Sequence, residues 1–235
     1  ETLTRGAGAD VVSCLVEAFP GPDDAEVAEG MALYAEWLNS LTTHELIRRD
    51  LFVESPLAHP SVMMKKAAVL AAGGYRDFGW PEDYDLWMRL MERGARFAKT
   101  PEVLFRWRDT PGRLSRTHPA YSMTAFRKLK EEFLVRGPLA GREDVSIMGA
   151  GRTGRWWMRE LAASGFSVGR VFDANPKKAG GRIGQTPVFP PEALERRLPG
   201  EFILGCVGRR GAREKIREYM GRLGRVELED YIFLA

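Results

Sequence analysis

Two stretches of this 235-residue chain carry residue types at spacings that can do chemistry. The first is Trp80-Pro81-Glu82-Asp83-Tyr84-Asp85-Leu86-Trp87-Met88-Arg89-Leu90, in which three carboxylates fall within four residues. A carboxylate facing a substrate hydroxyl can take its proton as a general base. Leu86, Trp87, Leu90 and Met91 recur at helical spacing, so the acids sit in the first turn of an amphipathic helix that Gly94 stops. Free backbone N–H groups and the helix dipole favour negative charge there, which makes capping the competing role for each acid. The second stretch is Val145-Ser146-Ile147-Met148, followed at once by Gly149-Ala150-Gly151-Arg152-Thr153-Gly154. A helix with Trp157, Leu161 and Ala162 inward comes next, then a strand over Val168 to Phe172 that ends at Asp173. Strand, glycines, helix, strand and acid are the order of a dinucleotide-binding fingerprint. In that order Gly149 makes the tight turn and Gly151 lets backbone approach a pyrophosphate. Gly154 brings helix onto strand, and Asp173 can hold a ribose hydroxyl. Asp173 also opens the loop Ala174-Asn175-Pro176-Lys177-Lys178, which offers it a structural role instead. Arg152 and Arg155 suit phosphate or plain surface charge equally.

The neighbours of the acidic helix sharpen its reading. Upstream stand His59-Pro60-Ser61-Val62-Met63-Met64 and Gly73-Gly74-Tyr75; downstream stands Leu104-Phe105-Arg106-Trp107-Arg108. With Glu82-Asp83-Tyr84-Asp85-Leu86-Trp87, this order and spacing resembles the acceptor half of a family 2 glycosyltransferase with the GT-A fold, over roughly residues 9–139. The resemblance implies that Asp83, the second acid of the Glu-Asp pair, is the catalytic base of an inverting transfer. It implies a nucleotide-sugar donor, a carbohydrate or lipid-linked acceptor, and a divalent metal, Mg or Mn. Glu82, His59, Trp107, Arg108 and Arg113 are then the substrate-binding candidates. A guanidinium forks onto phosphate oxygens, so the loop Arg108-Asp109-Thr110-Pro111-Gly112-Arg113 suits a diphosphate leaving group. Those arginines can instead pair with Glu82, Asp83 or Asp85. Many members of the family carry histidine about where Asp109 falls. The donor-binding βαβ units and the Asp-x-Asp metal motif of that family belong before residue 9. Neither is seen, and Asp23-Asp24 lies in a Pro/Gly loop, so the chain reads as a fragment that is inactive alone and supplies no metal ligand itself.

Composition sets outer bounds. Apolar content of 44% with 29% charged residues is ordinary for a globular protein. A net charge of +3 gives no ground for a nucleic-acid partner, and Arg209-Arg210 and Arg213 read as solvated faces. No apolar run approaches the ~20 residues that span a bilayer. With no secretory leader seen, a cytoplasmic protein is expected, with at most peripheral membrane contact. Cys14 and Cys206 lie in apolar runs and read as buried thiols.

The positioning elements follow from periodicity. Asp10 to Val16 is a strand, Glu1 to Gly8 the tail of a helix and a turn, and Asp24 a cap for a helix striped by Val27, Met31, Tyr34 and Leu38. Thr43 to Leu51 continues helically with His44 exposed. Ser61 to Met64 reads as a strand, Arg96 to Lys99 as another, and Val103 to Trp107 as a third. Tyr121 to Val135 is a helix, and Arg136-Gly137-Pro138-Leu139-Ala140-Gly141-Arg142 is a linker. The fold expected is α/β: a partial GT-A domain over 1–138, then a small Rossmann-like parallel-sheet domain over 142–235. Phe202 to Gly208 serves as its third strand and Tyr231 to Leu234 closes the sheet. This second domain can hold a nucleotide, a nucleotide-sugar or NAD(P), or stand empty. Two further functions compete with transfer: an oxidoreductase or sugar-nucleotide modifying enzyme centred on Gly149, and a non-catalytic scaffold.

Overall fold

The computed structural model describes residues 8–22 and 26–235. The readings of Glu1 to Ala7 as a helix tail and of Asp24 as a cap lie outside the described residues. Mixed α/β structure with parallel strands runs throughout, in two compact units. The first holds the described residues to Leu51 and Ser55–Phe133; the second holds Phe52–Glu54 and Leu134–Ala235. No helix among the described residues is long and apolar enough to cross a membrane.

The first unit runs β1 (Val11–Pro20), α1 (Glu29–Ser40), α2 (His44–Asp50), β2 (Met63–Met64), α3 (Lys66–Ala71), α4 (Glu82–Glu92), β3 (Phe97–Asp109), α5 (Leu114–Thr117) and α6 (Met123–Arg136). Its sheet has the order β2-β1-β3, with β1 antiparallel to β2 and parallel to β3. The two strands expected over 96–99 and 103–107 are one. Pro101 lacks an N–H and reads as a break, yet the chain absorbs it as a bulge: Cys14 pairs with Thr100, Leu15 with Val103 and Val16 with Phe105. Asn39 of α1 takes up the backbone at that irregularity. Its Oδ1 accepts from the Val16 N–H at 2.9 Å, and its Nδ2 donates to the Val16 carbonyl at 2.8 Å. Ser61 does not join a strand; His59–Ser61 is a 3₁₀ turn and only Met63–Met64 pairs.

α4 is buried from Tyr84 through Leu90, not along one stripe only. The buried Tyr84 hydroxyl donates to the Leu51 carbonyl at 2.5 Å, whereas the buried Trp87 Nε1–H has no hydrogen-bond partner among the described residues. His44 departs from expectation as well. It is half-buried, its Nδ1 accepts from the Phe97 N–H at 3.2 Å, and its ring stacks on Phe97 at 6.3 Å. Burial first, and then Arg96, hold its pKa below 6.5. Stability from the neutral ring is present above 6.5 and is lost as pH falls through the lowered value. Urea midpoints should therefore fall between pH 7 and 5 in the native chain and fall less in His44→Gln. Equal falls would remove His44 from the account.

The second unit runs β4 (Asp144–Met148), α7 (Arg152–Ala163), β5 (Ser167–Phe172), β6 (Arg182–Ile183), β7 (Thr186–Phe189), β8 (Ile203–Gly205), α8 (Ala212–Arg222) and β9 (Tyr231–Phe233). Strand order is β6-β7-β5-β4-β8-β9, parallel at every pairing except β6 with β7. The parallel set β7-β5-β4-β8-β9 is a doubly wound half-sheet whose order reverses beside β4. β7 carries no strand signal in the sequence, because Pro187 interrupts it and Pro190-Pro191 follows; it pairs with β5 only at Val188 and Phe189. α7 packs inward through Gly154, Trp157 and Leu161, while Ala162 is exposed, one residue off the inner face. The Pro/Gly stretch read as a linker is a fixed turn: Leu139 is fully buried, and Arg142 donates to the Pro138 and Gly200 carbonyls at 3.1 and 2.9 Å. Cys14 and Cys206 are both buried, and neither is in a disulfide.

Candidate functional site

The three carboxylates of α4 have three different environments. Asp85 is 2% exposed and ion-paired to Arg89, one turn along, at 2.6 Å. Arg89 also donates to the Ala72 carbonyl and, at 2.7 Å, to that of Gly74, so this pair fastens the Gly73-Gly74 turn onto the helix. Glu82 accepts from the Tyr121 hydroxyl at 2.7 Å. Asp83 is half-buried, and among the described residues no cation pairs with it. Its Oδ1 accepts from the Tyr84 N–H at 2.7 Å, which is a helix-start contact, and Oδ2 is left over.

Burial pushes the Asp83 pKa up to about 6, and Glu82 beside it adds to the rise. The Tyr84 N–H and nearby His59 pull the other way without reversing it. Two phenols flank these acids. Tyr75 and Tyr121 are both held above the usual phenol value, by burial first; the Glu82 hydrogen bond adds for Tyr121, and the charges of Asp83 and Glu82 for Tyr75. His59 lies at Tyr75, with Nε2 and the hydroxyl 2.8 Å apart, and packs edge-on against Trp87 at 5.9 Å. The structure thus gathers His59, Tyr75, Glu82, Asp83 and Tyr121. Asp85→Asn is expected to cost about 2–3 kcal/mol of stability, because Arg89 stays buried with a weaker acceptor. Urea unfolding measures this, and an unchanged midpoint would place Asp85 outside the brace.

The downstream candidates form a different group. The Arg113 guanidinium lies 4.5 Å over the Trp107 ring and 3.7 Å from Asp109, which Arg116 also binds at 2.5 Å. Asp109 is 4% exposed and takes the Ala28 N–H at 3.1 Å. Burial raises its pKa, and Ala28, Arg116 and Arg113 together more than reverse this, leaving it below the usual carboxylate value. Arg108 sits 5.4 Å over the Phe19 ring. Arg113 and Arg116 therefore pair with Asp109 while Arg108 packs on Phe19, and no described contact joins them to Glu82, Asp83 or Asp85.

In the second unit a cavity of about 870 Å³ opens beyond the carboxyl ends of β4, β5 and β8, where the strand order reverses. Gly149, Gly151 and Asp173 line it. Gly154 does not: a Cβ there would lie 1.8 Å from the Gly149 carbonyl, so its role is the close approach of α7 to the glycine loop. Asp173 is engaged on both oxygens. Oδ2 accepts from the Ala150 N–H at 2.8 Å and from Lys178 at 3.0 Å, and Oδ1 from the Asn175 N–H at 2.8 Å. Burial raises its pKa, but these donors overcome it and hold the carboxyl below its usual range. These contacts give Asp173 a structural role in the glycine loop, with one acceptor position left over.

Comparison with known proteins gives partial likenesses. The chain is similar to glycosyltransferases. An uncharacterized glycosyltransferase of Haemophilus influenzae is 35% identical over 89 residues, which is 37% of this chain and 33% of that protein. The amylovoran biosynthesis glycosyltransferase AmsE of Erwinia amylovora is 38% identical over 56 residues, 24% of this chain and 21% of that protein. The matches thus span a third or less of either relative. No family model matches. Among solved structures, UDP-D-quinovosamine 4-dehydrogenase from Vibrio fischeri aligns over 35% of this chain and 73% of its own, at 21% identity and a TM-score of 0.32. A Rex-family repressor, RSP, aligns over 46% and 59% at 22% identity and a TM-score of 0.34.

Sequence reasoning missed Tyr121, Arg209 and Arg210 as site residues. Tyr121 carries no local signal, since its 3₁₀ turn reaches Glu82 only in the folded unit. Arg209 and Arg210 are exposed, as read, and also line the cavity. One signal was available: they follow β8, which lies beside β4, so both loops emerge at the same edge of the sheet.

Proposed function

We propose that the first unit is the acceptor-side part of an inverting glycosyltransferase of family 2 with the GT-A fold. It moves a sugar from a nucleotide-sugar to a hydroxyl of a carbohydrate or lipid-linked acceptor in surface-polysaccharide or glycoconjugate synthesis. The observation that carries this reading is the isolation of Asp83. Of the three acids it is the one with neither an arginine nor a tyrosine hydroxyl on it, and its pKa near 6 suits a base working around neutrality. The names of the two relatives support the same activity.

In this reading the acceptor O–H gives its proton to Asp83 as the oxygen bonds to the anomeric carbon. The bond from that carbon to the diphosphate breaks on the opposite face, so configuration inverts. The Tyr121 hydroxyl holds Glu82, and the His59–Tyr75 pair offers polar atoms to the incoming acceptor beside it. Trp107 and Arg113, stacked and fixed by Asp109, form a wall suited to the donor side. The divalent ion that goes with such a transferase finds no group of three His, Cys, Asp or Glu side chains among the described residues, and no step here runs through it.

The reading is tested by transfer kinetics against pH in the native protein. kcat/KM should rise with pH through a limb centred near 6, the value to which Asp83 is raised. A profile flat across that range would remove Asp83 as the base.

A further inference from the structure

The start of α4 sets two acids side by side, and a distant hydroxyl holds one of them. Tyr121 O–H donates to Glu82 Oε2 at 2.7 Å from 39 positions further along the chain. Tyr121 arrives there with little freedom. Its N–H donates to the His118 carbonyl at 3.0 Å within the 3₁₀ turn Pro119–Tyr121, and His118 Nδ1 closes the turn by accepting from the Ala120 N–H at 3.3 Å. On the other side the Ser122 hydroxyl accepts from the Ala125 N–H at 3.2 Å, at the start of α6. The Tyr121 ring packs on Phe126 at 6.4 Å, and Phe126 packs on Tyr84 of α4 at 5.9 Å. Ring and turn are thus held without the hydroxyl, which is spent on Glu82.

That hydroxyl decides where the Glu82 charge stands. The repulsion between two carboxylates depends on their separation, and it is stronger in a half-buried place than in water. Glu82 and Asp83 are both half-buried on the first turn of α4, and among the charges around Asp83 it is Glu82 that opposes ionisation. His59, from the turn His59–Ser61, acts the other way, as does the Tyr84 N–H. Tyr75 and Tyr121 face the acids as neutral phenols, since both are held above the usual phenol value. Released from Tyr121, the Glu82 carboxylate swings toward water and its field at Asp83 weakens.

We propose that Tyr121 is a positioning residue for the transfer: its hydroxyl fixes the Glu82 carboxylate beside Asp83, and that fixed charge strengthens Asp83 as the acceptor of a proton. The proposal rests on the reading of Asp83 as the base. It divides the labour of the acidic pair. Glu82 gives up an oxygen to Tyr121 and acts through its charge, while Asp83 keeps an oxygen for the incoming hydroxyl.

The test is an NMR pH titration of the whole chain labelled at its aspartate carboxyl carbons, with the Asp83 signal assigned by its loss in Asp83→Asn. In the native chain Asp83 titrates near 6. Tyr121→Phe keeps the ring on Phe126 and lowers that midpoint by roughly half a pH unit or more, the scale of one charge moved away in a half-buried place. Glu82→Gln keeps an acceptor for the hydroxyl but removes the charge, and lowers the midpoint at least as far. In the Glu82→Gln background Tyr121→Phe adds nothing, because no charge is left to hold. The same order holds in His59→Gln, which removes an imidazole that titrates in this window. A tyrosine with a purely structural role would move the urea midpoint and leave the Asp83 titration in place. An Asp83 midpoint that is unmoved or raised in Tyr121→Phe, or a shift that persists undiminished in the Glu82→Gln background, overturns the role of Tyr121 alone. An Asp83 that titrates near 3.8 in the native chain overturns the base itself.

Discussion

Asp83→Asn should abolish sugar transfer and at the same time stabilise the first unit. A general base contributes about 10²–10⁴-fold to rate, so the variant should fall by that factor with donor binding intact. The stability gain follows from the same burial that prepares the base. Asp83 titrates near 3.8 when unfolded and near 6 in the fold, so folding favours its neutral form. Below 3.8 the residue is neutral in both states and costs nothing. As pH rises through that window the unfolded chain loses its proton first, and above about 6 the charge is carried in a half-buried place at full cost. Asn keeps an oxygen for the Tyr84 N–H and removes the charge. At neutral pH the gain should be roughly 1–3 kcal/mol, shrinking to nothing near pH 4. Initial rates and urea midpoints at both pH values measure the pair of effects. Transfer within a few-fold of native would refute the base. A variant less stable at neutral pH would return Asp83 to a helix cap.

How far the sequence discloses this arrangement depends on how local the interactions are. The Gly149 stretch is legible because turn, helix start and strand follow within one βαβ unit, and its glycines need no distant partner to be understood. The separate fates of Asp83 and Asp85 were half-legible. Arg89 stands four residues after Asp85 on one helix, a spacing that pairs charges. What hides the pairing is the competing set of loop arginines, of which the fold sends Arg113 to Asp109 and Arg108 to the Phe19 ring. Elements interrupted by proline were not legible: Pro101 sits in a bulge inside β3, and Pro187 inside β7, because sheet pairing on either side outweighs the missing N–H. His44 shows the remaining limit. Its helix face looks polar in sequence, but a strand more than fifty residues on lays the Phe97 N–H against its ring. The polar centre of the second unit was equally invisible, since Glu201, Arg170, Arg225 and Ser146 come from four separate segments.

That centre should be the least replaceable part of the second unit. Glu201 accepts from Ser146 at 2.7 Å and from Arg170 at 2.5 and 3.0 Å on one oxygen, and from Arg225 at 3.0 Å on the other. The Glu201 side chain is 4% exposed, that of Arg225 fully buried and that of Arg170 12% exposed. Glu201→Ala strands two guanidinium groups away from water, a change that typically costs about 3–5 kcal/mol. Gln keeps acceptors for part of the network and should lose less. Burial raises the Glu201 pKa, and Arg170, Ser146 and Arg225 more than reverse this, holding it below the usual 4.5. Its stabilisation is therefore present above 4.5 and disappears as pH falls through the lowered value. The consequence reaches the cavity. Arg170 lies on β5, which ends at Phe172 beside Asp173, and Arg225 also donates to the carbonyl of Leu194 at 3.1 Å, a residue of the cavity wall. Urea unfolding of Glu201→Ala, Glu201→Gln and the triple Met replacement of Glu201, Arg170 and Arg225 checks the account. The triple variant should recover much of what the single one loses, because an apolar trio leaves no charge unpaired. If Glu201→Ala costs under about 1 kcal/mol, the range of exposed ion pairs, the network is solvated and the cavity wall is held by packing alone.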